Sequence, residues 1–135
     1  MPRLLITGVT GLIGKSVLNS ILKEQLDYEI SALIRPDTAL ERFSSFRSSV
    51  ELAQIDLADT EKLYDYLKNN TFDVVMHIGA LRGGRKFPPD TYIKANYKST
   101  EQFVEHCQKH GSRFIYCSSV GVFGVIPKEL PATNE

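Results

Sequence analysis

Residues 7–14 read TGVTGLIG, and this stretch decides the fold because it joins an apolar run to an amphipathic segment. Residues 3–7 predict a buried strand, and from Leu12 onward apolar residues recur at i and i+4, which predicts a helix. Glycines at such a junction permit a tight turn, let backbone N–H groups approach a diphosphate and let the helix pack closely on the strand. The N-terminus of the helix favours the anion further through its dipole.

The stretch therefore predicts a loop that binds the diphosphate of a dinucleotide. The residues expected to form it are Gly8, Thr10, Gly11, Leu12, Ile13 and Gly14. The spacing is G-x-x-G-x-x-G, and a Walker-type phosphate loop is excluded because no Gly-Lys-Ser/Thr follows in register. The alternative is that the three glycines serve only a turn and a helix start.

The remainder of the chain alternates between strand-like and helix-like segments. Further strands are predicted at 28–34, 50–55, 73–77 and 113–117, and further helices at 38–47, 59–68 and 90–110. The helices at 38–47, 59–68 and 90–110 are expected to be capped by a Thr38/Glu41 capping box, by Asp59 and by Asp90, and Gly111 is expected to end the last. The alternation predicts an α/β fold with a doubly wound parallel sheet, Rossmann-like, of strand order 3-2-1-4-5.

Composition restricts the class of protein. The 135 residues suit one domain, 1–135, and sixteen basic residues balance sixteen acidic ones. The balanced charge predicts no nucleic-acid or membrane partner, and no apolar run is long enough to span a bilayer. With two cysteines and a strand beginning almost at Met1, we expect reduced thiols, no signal peptide and a cytoplasmic location.

The stretch at 7–14 resembles the nucleotide loop of the extended short-chain dehydrogenase/reductases, which include the NAD-dependent epimerase/dehydratase family. Four further places are similar to that family: Asp56-Leu57, His77-Ile78-Gly79-Ala80, Asn96 and Ser118-Ser119-Val120-Gly121-Val122-Phe123-Gly124. The resemblance implies that the chain is the N-terminal, cofactor-binding portion of the family pattern, with a sheet incomplete at its C-terminal end. It also implies cofactor contacts from Asp56, Leu57, Ile78, Gly79, Ala80 and Asn96.

The resemblance implies a catalytic role for Ser119, which matches the family position that binds the reacting oxygen. In the family a downstream Tyr-x-x-x-Lys supplies the acid/base, with the lysine lowering the pKa of the tyrosine. Nothing after Gly124 contains this pair. Tyr64-x-x-x-Lys68 has the right spacing, but it lies upstream of Ser119 and is interpreted as a helix-surface pair. Catalytic turnover by this chain alone is therefore not expected.

The end of the second strand bears on the choice of cofactor. An acidic residue there selects NAD through the ribose 2′-OH, whereas an arginine accommodates the 2′-phosphate of NADP. The strand ends at Ile34-Arg35, so NADP is the preferred cofactor and NAD the alternative. Two other interpretations stay open: Arg35 is a solvated surface charge, or Asp37 bends back to the ribose.

Other polar residues receive plainer interpretations. His77 closes a buried strand and is expected to be a satisfied structural histidine. His106 and His110 share a helix face but lack a third ligand, so surface residues are favoured over zinc ligands and no metal site is expected. The loop from Arg82 to Lys86 is basic and glycine-rich, and either a substrate-phosphate contact or a solvated loop is compatible with it.

Two functions from different classes remain. The first is the cofactor-binding portion of an epimerase, dehydratase or reductase that moves hydride between NAD(P) and a nucleotide sugar or small carbonyl compound, with the small-molecule substrate bound in the intact enzyme. The alternative is a catalytically silent NADP-sensing regulatory or partner-binding module. We also expect the unpaired edge of the fifth strand to favour homodimerisation.

Overall fold

A computed structural model describes residues 1–83 and 87–124 of the chain, apart from the side chain of Phe123. Its strands are β1 (Arg3–Thr7), β2 (Glu29–Ile34), β3 (Val50–Gln54), β4 (Val74–His77) and β5 (Arg113–Tyr116). Its helices are α1 (Leu12–Lys23), α2 (Thr60–Asn69), α3 (Pro89–Tyr92) and α4 (Ser99–His110). A π-helical segment, Ile93–Lys98, joins α3 to α4, and short 3₁₀ turns cover Leu40–Phe43 and Val120–Phe123.

The five strands form one parallel sheet in the order β3-β2-β1-β4-β5, as the alternating pattern predicts. In the register of the sheet, Thr7 pairs with Leu33 on one side and with His77 on the other. The carboxyl ends of β1, β2 and β4 therefore meet at one edge of the sheet. That edge includes the point where the strand order reverses, which is where open α/β sheets bind their ligands.

Apolar side chains cover both faces of the sheet, which is why the strands read as continuous apolar runs. On one face Leu4 and Ile6 pack with Leu18 and Ile21 of α1. On the other face Leu5 and Val75 pack with a second group. That second group comes from the helices on the opposite side of the sheet and the segment before β4, and consists of Leu63, Leu67, Phe72, Phe103 and Cys107. The central strand β1 is thus buried from both sides, which fixes the position of the loop that follows it.

The prediction of a helix over 38–47 with a Thr38/Glu41 capping box is wrong. Only a 3₁₀ turn, Leu40–Phe43, forms there, and its N-cap residue Ala39 provides no side-chain hydrogen bond. The reason lies in the apolar spacing: Leu40, Phe43 and Phe46 recur every three residues and pack on the core. A repeat of three matches the 3₁₀ helix, whose side chains at i and i+3 eclipse.

The prediction of a long helix over 90–110 is confirmed in extent, but the prediction that Asp90 caps it is wrong. Pro88 takes the N-cap position without a side-chain hydrogen bond, and Pro89 begins the helix because its missing N–H needs no partner there. Asp90 lies in the first turn and forms an ion pair with Lys94 at 2.7 Å instead of capping. The π-helical segment then interrupts the α-helical pattern. Gly111 ends α4 in the left-handed conformation with φ of 67°, and Asp59 caps α2 through Lys62 N, both as predicted.

Candidate functional site: a crevice at the carboxyl edge of the sheet

The glycine loop is held by backbone contacts that leave no room for side chains at two of its three glycines. Gly8 adopts φ of +78°, and a Cβ there would lie 2.6 Å from the backbone nitrogen of Gly79. At Gly14 a Cβ would lie 2.1 Å from the carbonyl oxygen of Gly8. Both glycines are therefore required by close packing of backbone on backbone, in agreement with the roles that the spacing predicts for a turn and for helix–strand contact.

Gly11 differs from its two neighbours in the motif. Its φ of −85° is open to any residue, and the nearest atom to a Cβ there would be the Gly8 carbonyl oxygen at 3.4 Å. Gly11 is the N-cap residue of α1, and it supplies no side-chain cap to the first-turn N–H groups. Those N–H groups lack intrahelical partners and lie where an anion is favoured. Leu12 and Ile13, which carry two of them, are exposed.

A crevice of about 300 Å³ opens between the glycine loop and the ends of the neighbouring strands. The predicted site residues that line it are Gly8, Thr10, Gly11, Arg35, Asp56, Leu57, Gly79 and Ala80. Leu12, Ile13, Gly14, Ile78, Asn96 and Ser119 are not part of its wall. The wall therefore gathers residues from five separate segments of the sequence, 7–11, 33–35, 55–57, 79–82 and 95, at the edge where the fold predicts a ligand.

Asp56 and Leu57 follow β3 at the far side of this crevice. The Asp56 carboxylate accepts a hydrogen bond from the backbone nitrogen of Ala58 at 2.8 Å, which shapes the turn into α2. Leu57 packs against the core on the α2 side, and its Cδ1 would lie 3.3 Å from a Cβ at Gly79. These contacts hold the β3–α2 loop against the loop after β4, so that both face the same space.

Arg35 is exposed at the crevice wall, and its guanidinium is paired with Asp37. The Nε–Oδ1 distance is 3.1 Å and the Nη2–Oδ2 distance is 3.2 Å, so the contact is bidentate. Asp37 does not belong to the crevice wall. The structure thus brings Arg35 to the predicted place and shows Asp37 bound to Arg35.

The buried His77 ring connects the glycine loop to the helix at 93–110. Its Nδ1 lies 2.8 Å from Thr7 Oγ1, and its Nε2 lies 3.1 Å from Thr100 Oγ1. Thr7 Oγ1 accepts from the backbone nitrogens of Ile78 and Gly79, at 3.1 and 2.9 Å, so its own proton points to Nδ1. Thr100 donates to the Asn96 carbonyl at 2.6 Å and therefore accepts the proton of Nε2. The network assigns His77 as the neutral Nε2–H tautomer.

Burial lowers the pKa of His77 from 6.5 to about 4, because the charged imidazolium loses its hydration inside the sheet. With both ring nitrogens hydrogen-bonded and the ring neutral near pH 7, His77 is a satisfied structural histidine, as the sequence predicts. It holds the end of β1, the start of the loop after β4 and the helix in one arrangement.

Asn96, in the π-helical segment, is bound to the loop after β4. Its Oδ1 accepts from the backbone nitrogen of Leu81 at 2.6 Å, and its Nδ2 donates to the Leu81 carbonyl at 2.9 Å. The side chain therefore acts on the crevice through Leu81, which is part of the wall. Asn96 is a positioning residue in this structure, and a direct contact with a cofactor stays a prediction.

Ser119 lies just after β5, at the same edge of the sheet and beyond the crevice. It is exposed, and its Oγ accepts a hydrogen bond from the Gly121 backbone nitrogen at 3.1 Å, which caps the turn Val120–Phe123. Its catalytic role stays a prediction. Tyr64 and Lys68 lie on α2, both exposed, in agreement with a helix-surface pair.

Six further residues of the crevice wall were not among the predicted site residues: Thr7, Leu33, Ile34, Ile55, Leu81 and Ala95. Thr7 carried a usable signal, since a hydroxyl at the last position of a buried strand needs partners inside the fold. Of the basic loop from Arg82 to Lys86, residues 84–86 lie outside the described residues. The wall position of Arg82 agrees with a phosphate contact from this loop, which stays a prediction.

The prediction that His106 is a surface residue is wrong, because its side chain is buried. Its ring lies between those of Phe72 and His110, with centroid distances of 5.9 and 4.6 Å. Burial against α2 also lowers the pKa of His106. Within residues 1–83 and 87–124, the side chains of His, Cys, Asp and Glu form no group of three suited to hold a metal ion.

In the part of the chain that the structure describes, the helices are too short or too polar to cross a bilayer.

Comparison with known proteins identifies one family. The model of the NAD dependent epimerase/dehydratase family matches residues 4–135. Among curated relatives, a UDP-glucose 4-epimerase from Caenorhabditis elegans is 26% identical over 146 aligned residues, which cover 98% of this chain and 42% of that protein. The chain thus spans about two fifths of the length of such relatives.

Solved structures show the same fold. A UDP-glucose 4-epimerase from Bifidobacterium longum, in complex with NAD+ and UDP, is 28% identical with a TM-score of 0.71, over 98% of this chain and 41% of that one. An ADP-L-glycero-D-manno-heptose-6-epimerase from Helicobacter pylori has a TM-score of 0.78 at 20% identity, over 96% of this chain and 43% of that one. The second likeness supports the fold alone.

Proposed function

Because the chain belongs to the NAD dependent epimerase/dehydratase family, we propose that it is the dinucleotide-binding part of an enzyme that moves hydride between NAD(P) and a nucleotide sugar or small carbonyl compound. The observation that carries the proposal is the glycine loop. Gly8 and Gly14 pack backbone on backbone, and Gly11 leaves open space beside uncapped N–H groups. Such a cradle suits a diphosphate, whose oxygens accept several N–H bonds.

The proposed dinucleotide lies across the crevice. The diphosphate faces the start of α1, and the adenosine end lies toward Arg35 and toward Asp56 and Leu57. The nicotinamide end lies toward β4 and β5, where Ile78, Gly79, Ala80 and Asn96 are proposed to hold it. NADP is the preferred cofactor in this proposal, since Arg35 at the end of β2 suits a 2′-phosphate, and NAD is the alternative.

Ser119 is proposed to donate a hydrogen bond to the reacting oxygen of the substrate. Its hydroxyl accepts from Gly121 in the structure, which leaves its proton available to a ligand. The acid/base expected from the family pattern is not supplied by the described residues, so Ser119 has the single role of polarising that oxygen. Relatives named as epimerases and dehydratases give the regulatory alternative no support.

Three broader expectations are proposed along with the function. Residues 1–135 form one domain that works in the cytoplasm, and its partners are the dinucleotide and the substrate and not nucleic acid or membrane. The outer strand β5, whose Tyr116 is exposed, is proposed as the edge through which two copies associate. Light scattering over a range of concentrations tests that association, and a concentration-independent monomer contradicts it.

The function is tested by titrating NADH and NADPH into the chain and into Gly11→Val. Valine suits the extended backbone of Gly11, so this variant is expected to fold while its side chain obstructs the diphosphate. We expect binding by the parent chain and a loss of at least about tenfold in affinity, or about 1.4 kcal/mol, in the variant. The chain lacks tryptophan, so reduced nicotinamide fluorescence reports binding without that background.

The matched control is Gly111→Asn, at the opposite edge of the sheet, because asparagine also tolerates a left-handed helix end. This control is expected to bind as the parent does. Equal affinity of Gly11→Val and the parent chain for both dinucleotides contradicts the proposed cradle.

A further inference from the structure

The segment after β2 is a turn whose shape is fixed by backbone contacts. The backbone nitrogen of Thr38 donates to the Arg35 carbonyl at 3.0 Å, which closes the turn, and Pro36 fixes one of its dihedral angles. Gln54 of β3 donates through Nε2 to the Pro36 carbonyl at 3.2 Å. Arg35 and Asp37 are therefore held on the same side of a pinned turn, two residues apart.

Within this turn the guanidinium of Arg35, which is the group that suits a 2′-phosphate, is already engaged with a carboxylate. Its Nε and Nη2 bond to Asp37 and form one of the two forks that an arginine can offer to a phosphate, and Nη1 with Nη2 forms the other. Arg35 reaches the crevice wall, whereas Asp37 does not belong to it. The carboxylate thus holds part of the charge and hydrogen-bonding capacity of the arginine that a 2′-phosphate would use.

We propose that Asp37 is a specificity-determining residue of this site, because its carboxylate competes with the 2′-phosphate of NADP for the guanidinium of Arg35. The inference rests on the proposed function, and it concerns how strongly the site distinguishes the two dinucleotides. Binding of NADP requires the phosphate to displace or share Arg35 and to approach the Asp37 charge. Binding of NAD, which presents a hydroxyl there, requires neither.

The expected size of the effect on NADP binding follows from how exposed the Arg35–Asp37 pair is. The side chains of Arg35 and Asp37 are 54% and 71% exposed, so water screens the pair and its strength is that of a surface contact. Such a pair can be displaced by a dianionic phosphate but still opposes it. The site is consequently expected to accept NADP with only a modest preference over NAD, and to gain preference when the carboxylate is neutralised.

The test is Asp37→Asn, which keeps the side-chain size and suits a turn. Affinities of the chain for NADPH and NADH are measured by calorimetry at fixed salt. We expect NADPH to bind about three- to tenfold more tightly in this variant, with NADH changed by less than about twofold. The matched control, Asp90→Asn, removes an exposed carboxylate of similar pairing on α3, and is expected to change neither affinity.

A second pair of variants separates competition from simple repulsion. If the carboxylate acts through Arg35, Asp37→Asn gives no gain in NADPH affinity when Arg35 is replaced by glutamine. A gain that persists without Arg35 overturns the inference, and so does an unchanged ratio of NADPH to NADH affinity in Asp37→Asn. A large loss of NADH affinity in that variant also overturns it, since Asp37 would then bind the ribose.

These results are distinct from failure of the proposed function. If the folded parent chain binds neither dinucleotide, the proposed function and this inference both fall. If it binds both and Asp37→Asn behaves as the parent does, the inference alone falls and the cradle stands.

Discussion

The glycine loop after β1 and the serine turn after β5 lie at the same edge of the sheet but are built differently. The glycine loop follows the central strand, and contacts between backbone atoms of Gly8, Gly14 and Gly79 fix its shape. The serine turn follows an outer strand, and the one described contact of Ser119 Oγ is with Gly121 inside the same turn. The chain thus builds the proposed diphosphate site into its core and carries the proposed catalytic hydroxyl on its surface.

The largest expected effect is a loss of stability when the close backbone packing of the glycine loop is disturbed. In Gly14→Ala the new Cβ meets backbone atoms of Gly8 at 2.1 and 2.5 Å, which cannot move without shifting β1 or α1. We expect a loss of more than about 3 kcal/mol in the free energy of unfolding, or no folded protein. Gly11→Ala, with its nearest contact at 3.4 Å, is expected to change that free energy by less than about 1 kcal/mol.

Urea unfolding followed by circular dichroism measures both variants. Equal midpoints for Gly14→Ala and the parent chain would show that the close approach of α1 to the loop is not required. A collapse of Gly11→Ala as severe as that of Gly14→Ala would remove the distinction between packing and ligand-facing glycines.

An effect of intermediate size is the dependence of stability on pH that arises from His77, whose ring is hydrogen-bonded beneath the glycine loop. The folded-state pKa of His77 lies below its unfolded value, so the unfolded chain takes up more protons as the pH falls from about 6.5 to about 4. Stability from this group is complete above the unfolded pKa and is lost as the pH falls through that window. The full difference corresponds to about 3 kcal/mol, as an upper bound.

The measurement is the free energy of unfolding at about pH 7 and about pH 4.5 in the parent chain and in His77→Asn. We expect the pH slope to be smaller in His77→Asn than in the parent chain. His106, whose pKa burial also lowers, is present in both proteins and contributes with the same sign. An identical slope in His77→Asn and the parent would show that the ring is not held neutral.

The smallest expected effect concerns the exposed serine turn after β5. Ser119→Ala removes one local hydrogen bond from an exposed turn, so the free energy of unfolding should fall by less than about 1 kcal/mol. Affinity for NAD(P)H should change by less than about twofold, as in the control Ser118→Ala. Thermal unfolding and nicotinamide fluorescence measure the two quantities. A strong loss of dinucleotide affinity in Ser119→Ala, but not in Ser118→Ala, would show that Ser119 contacts the cofactor instead of the substrate.

The sheet and the glycine loop were predictable because their signals are local and strong. Apolar runs before Gly8 and at the other strands, separated by helical periodicity, leave one common topology. The 38–47 segment failed because the Thr38/Glu41 pair suggested a capping box, while the repeat of Leu40, Phe43 and Phe46 at three residues specifies a 3₁₀ turn. In this segment the apolar repeat, and not the capping signal, determined which kind of helix forms.

The remaining misses depend on contacts that the sequence pattern does not reveal. The π-helical segment keeps an ordinary helical pattern in sequence, and a backbone bond that spans five residues, from the Ser99 nitrogen to the Lys94 carbonyl, distinguishes it. The burial of His106 depends on α2 packing against α4. The engagement of Arg35 by Asp37 required a structure too, since the sequence left three interpretations of Arg35 open.

The hydroxyl of Thr7 has one more consequence, for the supply of hydrogen-bond donors at the crevice. By accepting from Ile78 and Gly79, it turns both of those amides inward, toward the protein. An anion in the crevice can therefore draw main-chain donors from the opening of α1 but not from Ile78 and Gly79. Ile78 and Gly79 can offer a dinucleotide close packing and carbonyl oxygens, which suit a nicotinamide ring better than a phosphate.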